Sequence, residues 1–386
     1  MNYPFPVPDP IPLPAPVWLF KILNVVTLGL HFVALEILIG GLLIVAILNY
    51  FGTKSGASLE VNRAASLMAR RLPIVVTYVI NLGVPPLLFT QVLYGQALYT
   101  SSVLIGLWWI SVIAILTLAY WLLYKVAERT EENQNAWHLA IGSWLLIGLI
   151  ARIYATNFTL MLRPEDWQSL YENSALGTML PMSDPTTTPR WVMMLTGGFA
   201  VAGVWMIWLS TTSRASEAVG AYLNKLGGKI AAVFFLLQLG AAYWVFLAQP
   251  DVVKESLTSQ SLYLVTGYGW MVLTLALVAL SAVAIVRKPS LLLSWGGAVA
   301  VLLSMLTMVL YRDGIRDMTL LVKGFDVWDR NVVTNWSVVA IFLVLFVVGL
   351  GVIGWLLSVV MRSKEEGEIK LNPSFATEST KKEMTK

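Results

Sequence analysis

The chain has 386 residues, of which 57% are hydrophobic and 12% charged. That is about half the charged share of an average soluble domain, so the sequence excludes an ordinary water-soluble globule. Its 26 lysines and arginines against 22 acidic residues leave a formal charge of +4, which in so apolar a chain concerns membrane topology rather than nucleic acid. With no cysteine, disulfides, thiolate zinc sites, iron–sulfur clusters and c-type haem attachment are excluded. Only two histidines, His31 and His138, are present, too few for a multi-histidine metal centre.

Proline stands at every even position from Pro4 to Pro16. Fixed φ angles and missing N–H donors forbid a helix there and predict an extended polyproline II arm, on the order of 40 Å long. The arm reads as a strap lying along a partner subunit or as a disordered tail. It lacks the charged start of a signal peptide.

Nine apolar segments follow, at about 17–51, 72–97, 102–125, 137–162, 190–211, 228–249, 260–286, 291–311 and 335–361. In lipid each must satisfy its own backbone, which requires helices. The expected fold is an all-α polytopic membrane protein, a nine-helix transmembrane bundle. Residues 1–16 form the arm, 17–361 the membrane domain, and 362–386 a charged, polar, disordered cytoplasmic tail. The first segment exceeds the roughly 20 residues of an upright span. Residues 17–29 are therefore expected near the interface, with Lys21 reaching water. Pro85-Pro86 predicts a kink in the second segment. The longest outer loops are expected at 163–189 and 312–334.

Orientation follows from the basic residues. With the N-terminus outside, 17 of the 26 lysines and arginines fall in inner loops and the tail, and 8 on the outer side. The positive-inside rule predicts N outside and C inside.

A strongly polar side chain within a span is costly and marks a candidate site. Those at Asn81, Gln91, Gln96, Asn157 and Gln238 read first as interhelical hydrogen bonds. Arg152 lies about seven residues inside the fourth segment and calls for a partner such as an acidic cofactor group or Glu36. Glu36 reads equally as a paired or protonated carboxyl and as a proton-transfer group.

His31 is the sharpest candidate, because Gly29, Gly40 and Gly41 leave room beside its helix for something bulky. An imidazole at such a place ligates a haem or makes a buried hydrogen bond. His138 lies at the opposite end of the membrane, so the two histidines cannot sandwich one haem, and His138 reads as interfacial packing beside Trp137. Met193 and Met194 open the fifth segment on the side of His31 and are candidate axial ligands or core residues. Arg312 and Arg316, in the run Tyr311–Asp317, suit propionates or simple pairing with Asp313 and Asp317.

Short motifs along the membrane region resemble subunit I of the cytochrome bd quinol oxidases, a nine-helix family with its N-terminus outside. LHFVALEILIGGLL resembles that family's first-helix histidine segment, and NLGVPPLLFTQVLYGQ its second-helix Gly-Pro-x-x-Phe-Gln-Phe-Gly region. IARIYATNFTLMLRP resembles its fourth-helix end, and MMLTGGFAVAG the start of its fifth helix. The departures matter as much. Met193 stands where the family has its fifth-helix haem histidine, and Val265 near its seventh-helix methionine ligand. The third segment has no acidic residue, and the long quinol loop shrinks to about 250–259. Of the haem ligands only His31 carries over.

The resemblance implies one b-type haem on His31, with Met193 or Met194, water or nothing opposite it and Arg152, Arg312 or Arg316 beside the propionates. No catalytic residue is assigned, and the chain is not expected to reduce oxygen by itself. The implied role is a respiratory electron-transfer subunit working between quinone, or a further membrane subunit, and a periplasmic c-type cytochrome or other redox partner. The competing expectation is a haem-free anchor for such a complex.

Overall fold

The computed structural model describes residues 5–6, 12–181, 184–212 and 215–362. The expected tail from residue 363 onward, and residues 1–4 and 7–11 of the arm, lie outside the described residues. Among the described residues, nine helices are long and apolar enough to cross a membrane, as the segment count predicts. They are α1 (Val17–Gly52), α3 (Leu72–Leu104), α4 (Gly106–Glu131), α5 (Trp137–Leu160), α7 (Thr187–Leu209), α8 (Glu217–Leu247), α10 (Ser261–Val286), α11 (Leu291–Val322) and α12 (Trp336–Arg362). Three shorter helices, α2 (Leu59–Ala69), α6 (Trp167–Asn173) and α9 (Asp251–Ser259), lie in connections. The chain is an all-α polytopic membrane bundle.

Because the spans alternate in direction, the connections collect on two faces. One carries the described part of the arm, residues 161–181 and 184–186 with α6, helix α9 and residues 323–335; it is called the arm face below. The other carries α2 and the turns after α4, α7 and α10. On that far side Asn49 ties two elements together, donating to the Gln134 carbonyl at 3.0 Å and accepting from the Ala136 amide at 2.7 Å. Asn224 likewise holds the end of α10, through the carbonyls of Ala284 (2.7 Å) and Arg287 (3.0 Å). Such bonds satisfy backbone groups left over at helix ends.

Helix α1 is central, packing on α3, α7, α11, α5 and α2. Its crossing with α7 is a backbone contact: a Cβ on Gly40 would collide with the Gly198 carbonyl. Small residues are the means by which helices approach in lipid, where no hydrophobic force draws them together. The core around this crossing includes Leu38, Leu42, Val45, Met206 and Leu209. By contrast α4 and α12 present rows of exposed apolar side chains, among them Ile110, Ile113, Ile341, Val344 and Val348, as lipid-facing helices do.

Three expectations require correction. Lys21 does not reach water: residues 17–29 are the first turns of one continuous 36-residue helix, about 54 Å long at 1.5 Å per residue. Lys21 accordingly faces inward and is 6% exposed. In α3 the departure from helical geometry falls at Tyr94 (φ −128°, ψ 24°), eight residues beyond Pro86. There Arg330 donates to the Leu93 carbonyl at 3.1 Å, satisfying an acceptor beside the break. Finally, the run Tyr311–Asp317 is not loop. Helix α11 continues to Val322 and carries those charges inside the bundle.

The described part of the arm lies on its own chain. Leu13 donates to the Asn331 carbonyl at 2.9 Å and accepts from the Val333 amide at 3.0 Å, a single parallel bridge centred on Val332. Phe5 packs edge-on against Trp167, with centroids 5.6 Å apart, and against Phe325 at 5.3 Å. The strap therefore closes over residues 325–335 and α6 at these positions.

Candidate functional site

His31 lies on the α1 face turned to α3. Its Nδ1 is 2.9 Å from the Val79 carbonyl, and the ring rests on Gly83, where a Cβ would stand 2.9 Å from two ring atoms. A hydrogen bond from Nδ1 leaves Nε2 as the free nitrogen, the arrangement that orients metal-binding imidazoles. Phe32 comes next, 5.8 Å from the His31 ring, and the Arg312 guanidinium stands 5.8 Å from the far ring of that pair. On the donor side, then, His31 fits an iron ligand, with an arginine one aromatic ring away for an acidic group.

The other sequence candidates divide. Met193, Arg312 and Arg316 line one large cavity of about 760 Å³ between α7, α8, α10 and α11. Met194 instead packs on the core around Leu42 and Met206. His31 is turned to α3 and Met193 to the cavity, so the structure does not bring these two together as an axial pair. Arg152 donates to the Pro181 carbonyl at 2.8 Å; it serves a connection on the arm face and pairs with neither Glu36 nor the cavity. Glu36 is buried against Gly197 of α7, beside Gln238, and its Oε2 has no hydrogen-bond partner among the described residues. His138 is exposed on the far side, its ring 5.9 Å from Trp137.

The most elaborate polar group was not legible as a unit. Lys21 of α1 donates to Asp313 Oδ2 at 2.8 Å, to Asp317 Oδ2 at 2.5 Å and to the Tyr94 hydroxyl at 2.5 Å. Tyr94 in turn donates to Asp317 Oδ1 at 2.6 Å, and Arg316 closes the group on Asp313. Two cations face two carboxylates, so the cluster is neutral. All four charged residues are at most 6% exposed. It pins α1, the break in α3 and the end of α11 to one another, under the ring of Trp328. One signal was available: Asp313 and Asp317 are four apart and share a helix face.

A second, more exposed set lies at the arm-face rim of the cavity. Arg163 binds Glu165 and Asp184, each at 2.8 Å, and Lys323 also binds Glu165. Burial would raise the Asp184 carboxyl, but bonds from Thr186 and Arg163 hold it below its ordinary range. Glu165 is lowered in the same way, against its burial, by Lys323 and its own backbone amide. Both are ionised and neutralise the two cations.

Among the described residues, no group of three or more His, Asp or Glu side chains could hold a metal ion. Compared with known proteins, the chain matches no family model and no curated sequence.

Proposed function

We propose that the chain is a membrane subunit of a respiratory electron-transfer complex, akin to subunit I of the cytochrome bd oxidases, that holds one b-type haem on His31. The observation that carries this reading is the His31 imidazole, anchored through Nδ1 on Val79 with Nε2 left to bind iron. A bound haem would supply a one-electron carrier. The chain's own part is to fix the imidazole between α1 and Gly83, and to offer the Arg312 guanidinium to a propionate. Met193 lies on another side of the bundle from His31, so the reading is of a haem with water or nothing opposite the histidine. Without cysteine, any c-type haem or iron–sulfur centre belongs to partners, reached from the arm face, and quinone or a second membrane subunit completes the path.

In this reading the arm face is the outer one, from the asymmetry of 17 basic residues against 8. A reporter fused after Glu131 or Ser216 is expected to read as cytoplasmic; a periplasmic signal there would reverse the orientation.

The second reading is a haem-free anchor for a redox complex, favoured by the fact that the His31 ring already packs on Gly83 and bonds Val79. A reduced-minus-oxidised spectrum of the purified full chain, with haem quantified as its pyridine complex, separates the two. One b-type haem per chain is expected, and a chain purified from haem-replete cells without any leaves the anchor.

A further inference from the structure

The large cavity has a shape, and in Arg190 and Arg316 a charge, that the haem reading does not use. Helices α8 and α10 meet closely near the far side, where a Cβ on Gly228 would stand 2.7 Å from the Ser281 carbonyl. Toward the arm face they part. The cavity runs between them from Leu239 on α8 and Leu275 on α10 up to Gln249 and Tyr263, with α11 as its floor. Tyr243, Tyr268 and Met271 edge this wedge and are exposed on the bundle's flank. Its mouth is therefore open sideways at bilayer depth, to molecules dissolved in the membrane.

The wide end is basic. Arg163 and Lys323 are neutralised by Glu165 and Asp184, and Arg316 gives Nη2 to Asp313. Three sets of donors remain. Arg316 Nε and Nη1, on a residue 5% exposed, have no hydrogen-bond partner among the described residues. Among the described residues, Arg190 donates to the hydroxyls of Thr186 (3.2 Å) and Thr159 (3.0 Å). Arg312 touches the rings of Phe32 and Phe158, and among the described residues it makes no ion pair. Asp184 and Glu165 also line the cavity, but both are engaged by Arg163 and Lys323, and among the described residues neither Arg190 nor Arg312 is in an ion pair. Two guanidinium charges short of a bonded anion are costly unless something anionic completes them.

We propose that this wedge binds one anionic phospholipid, its phosphate seated among Arg190, Arg312 and Arg316 and an acyl chain lying between α8 and α10. The orientation matches a lipid of the arm-face leaflet, with its head at the membrane edge and its tail toward the middle. Guanidinium groups suit a phosphate because they offer paired, charge-assisted donors. The volume of about 760 Å³ lies within the range of formed ligand sites. A neutral quinone would fill the apolar part and leave the two charges uncompensated. The inference does not rest on haem at His31.

The test is native mass spectrometry of the full chain, delipidated in detergent and then offered vesicles of phosphatidylglycerol or phosphatidylcholine. One phosphatidylglycerol is expected to stay bound, about tenfold more readily than phosphatidylcholine, the scale of losing one charge-assisted contact. Arg190→Gln/Arg312→Gln should abolish that preference. Met271→Trp, which fills the mouth and leaves the arginines intact, should expel the lipid and decides the matter if the arginine pair fails to fold. Equal retention of both lipids, lipid still bound in Met271→Trp, or an isoprenoid quinone as the retained species would overturn the proposal. So would phosphatidylglycerol that binds only to haem-depleted His31→Ala, because the acid in the wedge would then be a propionate.

Discussion

Lys21→Met should destabilise the protein by about 3–5 kcal/mol, the cost of removing one partner from a buried, hydrogen-bonded ion cluster. Met keeps much of the volume of the lysine stem and removes only the charge, leaving Asp313 and Asp317 with Arg316 alone and the Tyr94 hydroxyl short of a donor. The unbalanced charge would sit among Tyr94, Asp313, Arg316 and Asp317, each at most 6% exposed. Removing Asp317 at the same time restores neutrality, since Arg316 and Asp313 remain a pair. Lys21→Met/Asp317→Asn should therefore be less damaged than the sum of its single variants, a coupling that a double-mutant cycle reads directly. Unfolding midpoints of the detergent-solubilised chain give the four values. Strict additivity, or a Lys21→Met variant as stable as the parent, would mean that the cluster does not hold the three helices together.

That cluster also marks where sequence reasoning stops. The nine spans were legible because each must hide its backbone from lipid, and runs of apolar residues record that requirement. Hydropathy treats every charge as a reason to end a span, so it placed Arg312–Asp317 in a loop and Lys21 at the water's edge. For Lys21, Asp313, Arg316 and Asp317 the assignments failed for one reason: these charges cancel one another across α1 and α11, and a neutral set can be buried where a single charge cannot. The partners lie about 290 positions apart, beyond any local pattern. Tyr94 carried no signal, being one tyrosine among 14. Pro85 and Pro86 misdirected the expected kink, because the non-helical residue sits where Tyr94 meets the cluster. At the candidate site, the sequence marks candidate residues and not their grouping. It named His31, Met193, Arg312 and Arg316 together, whereas helix rotation sets His31 toward Gly83 and the other three toward the wedge.

Haem bands should vanish in His31→Ala and persist unchanged in His138→Ala. The contrast follows from position: His138 is exposed on the far side beside Trp137, whereas His31 is held on α3 with one nitrogen already engaged. Loss of the imidazole removes the sole histidine at the arm-side half of the bundle, and neither Met193, which lines the wedge, nor Met194, which packs on the core, takes its place. Haem loss through mere misfolding has a separate signature. Added imidazole can enter the space left by the side chain and restore the bands if the fold is intact, and it cannot if the bundle has collapsed. Gly83→Ala supplies the complementary probe. Its new Cβ would press on the ring at 2.9 Å, so a histidine that ligates iron should report the push as a shifted spectrum with haem content near that of the parent. Full haem content in His31→Ala would remove the ligand from this histidine, and with it the electron-transfer reading, leaving a scaffold whose buried imidazole does no more than bond Val79.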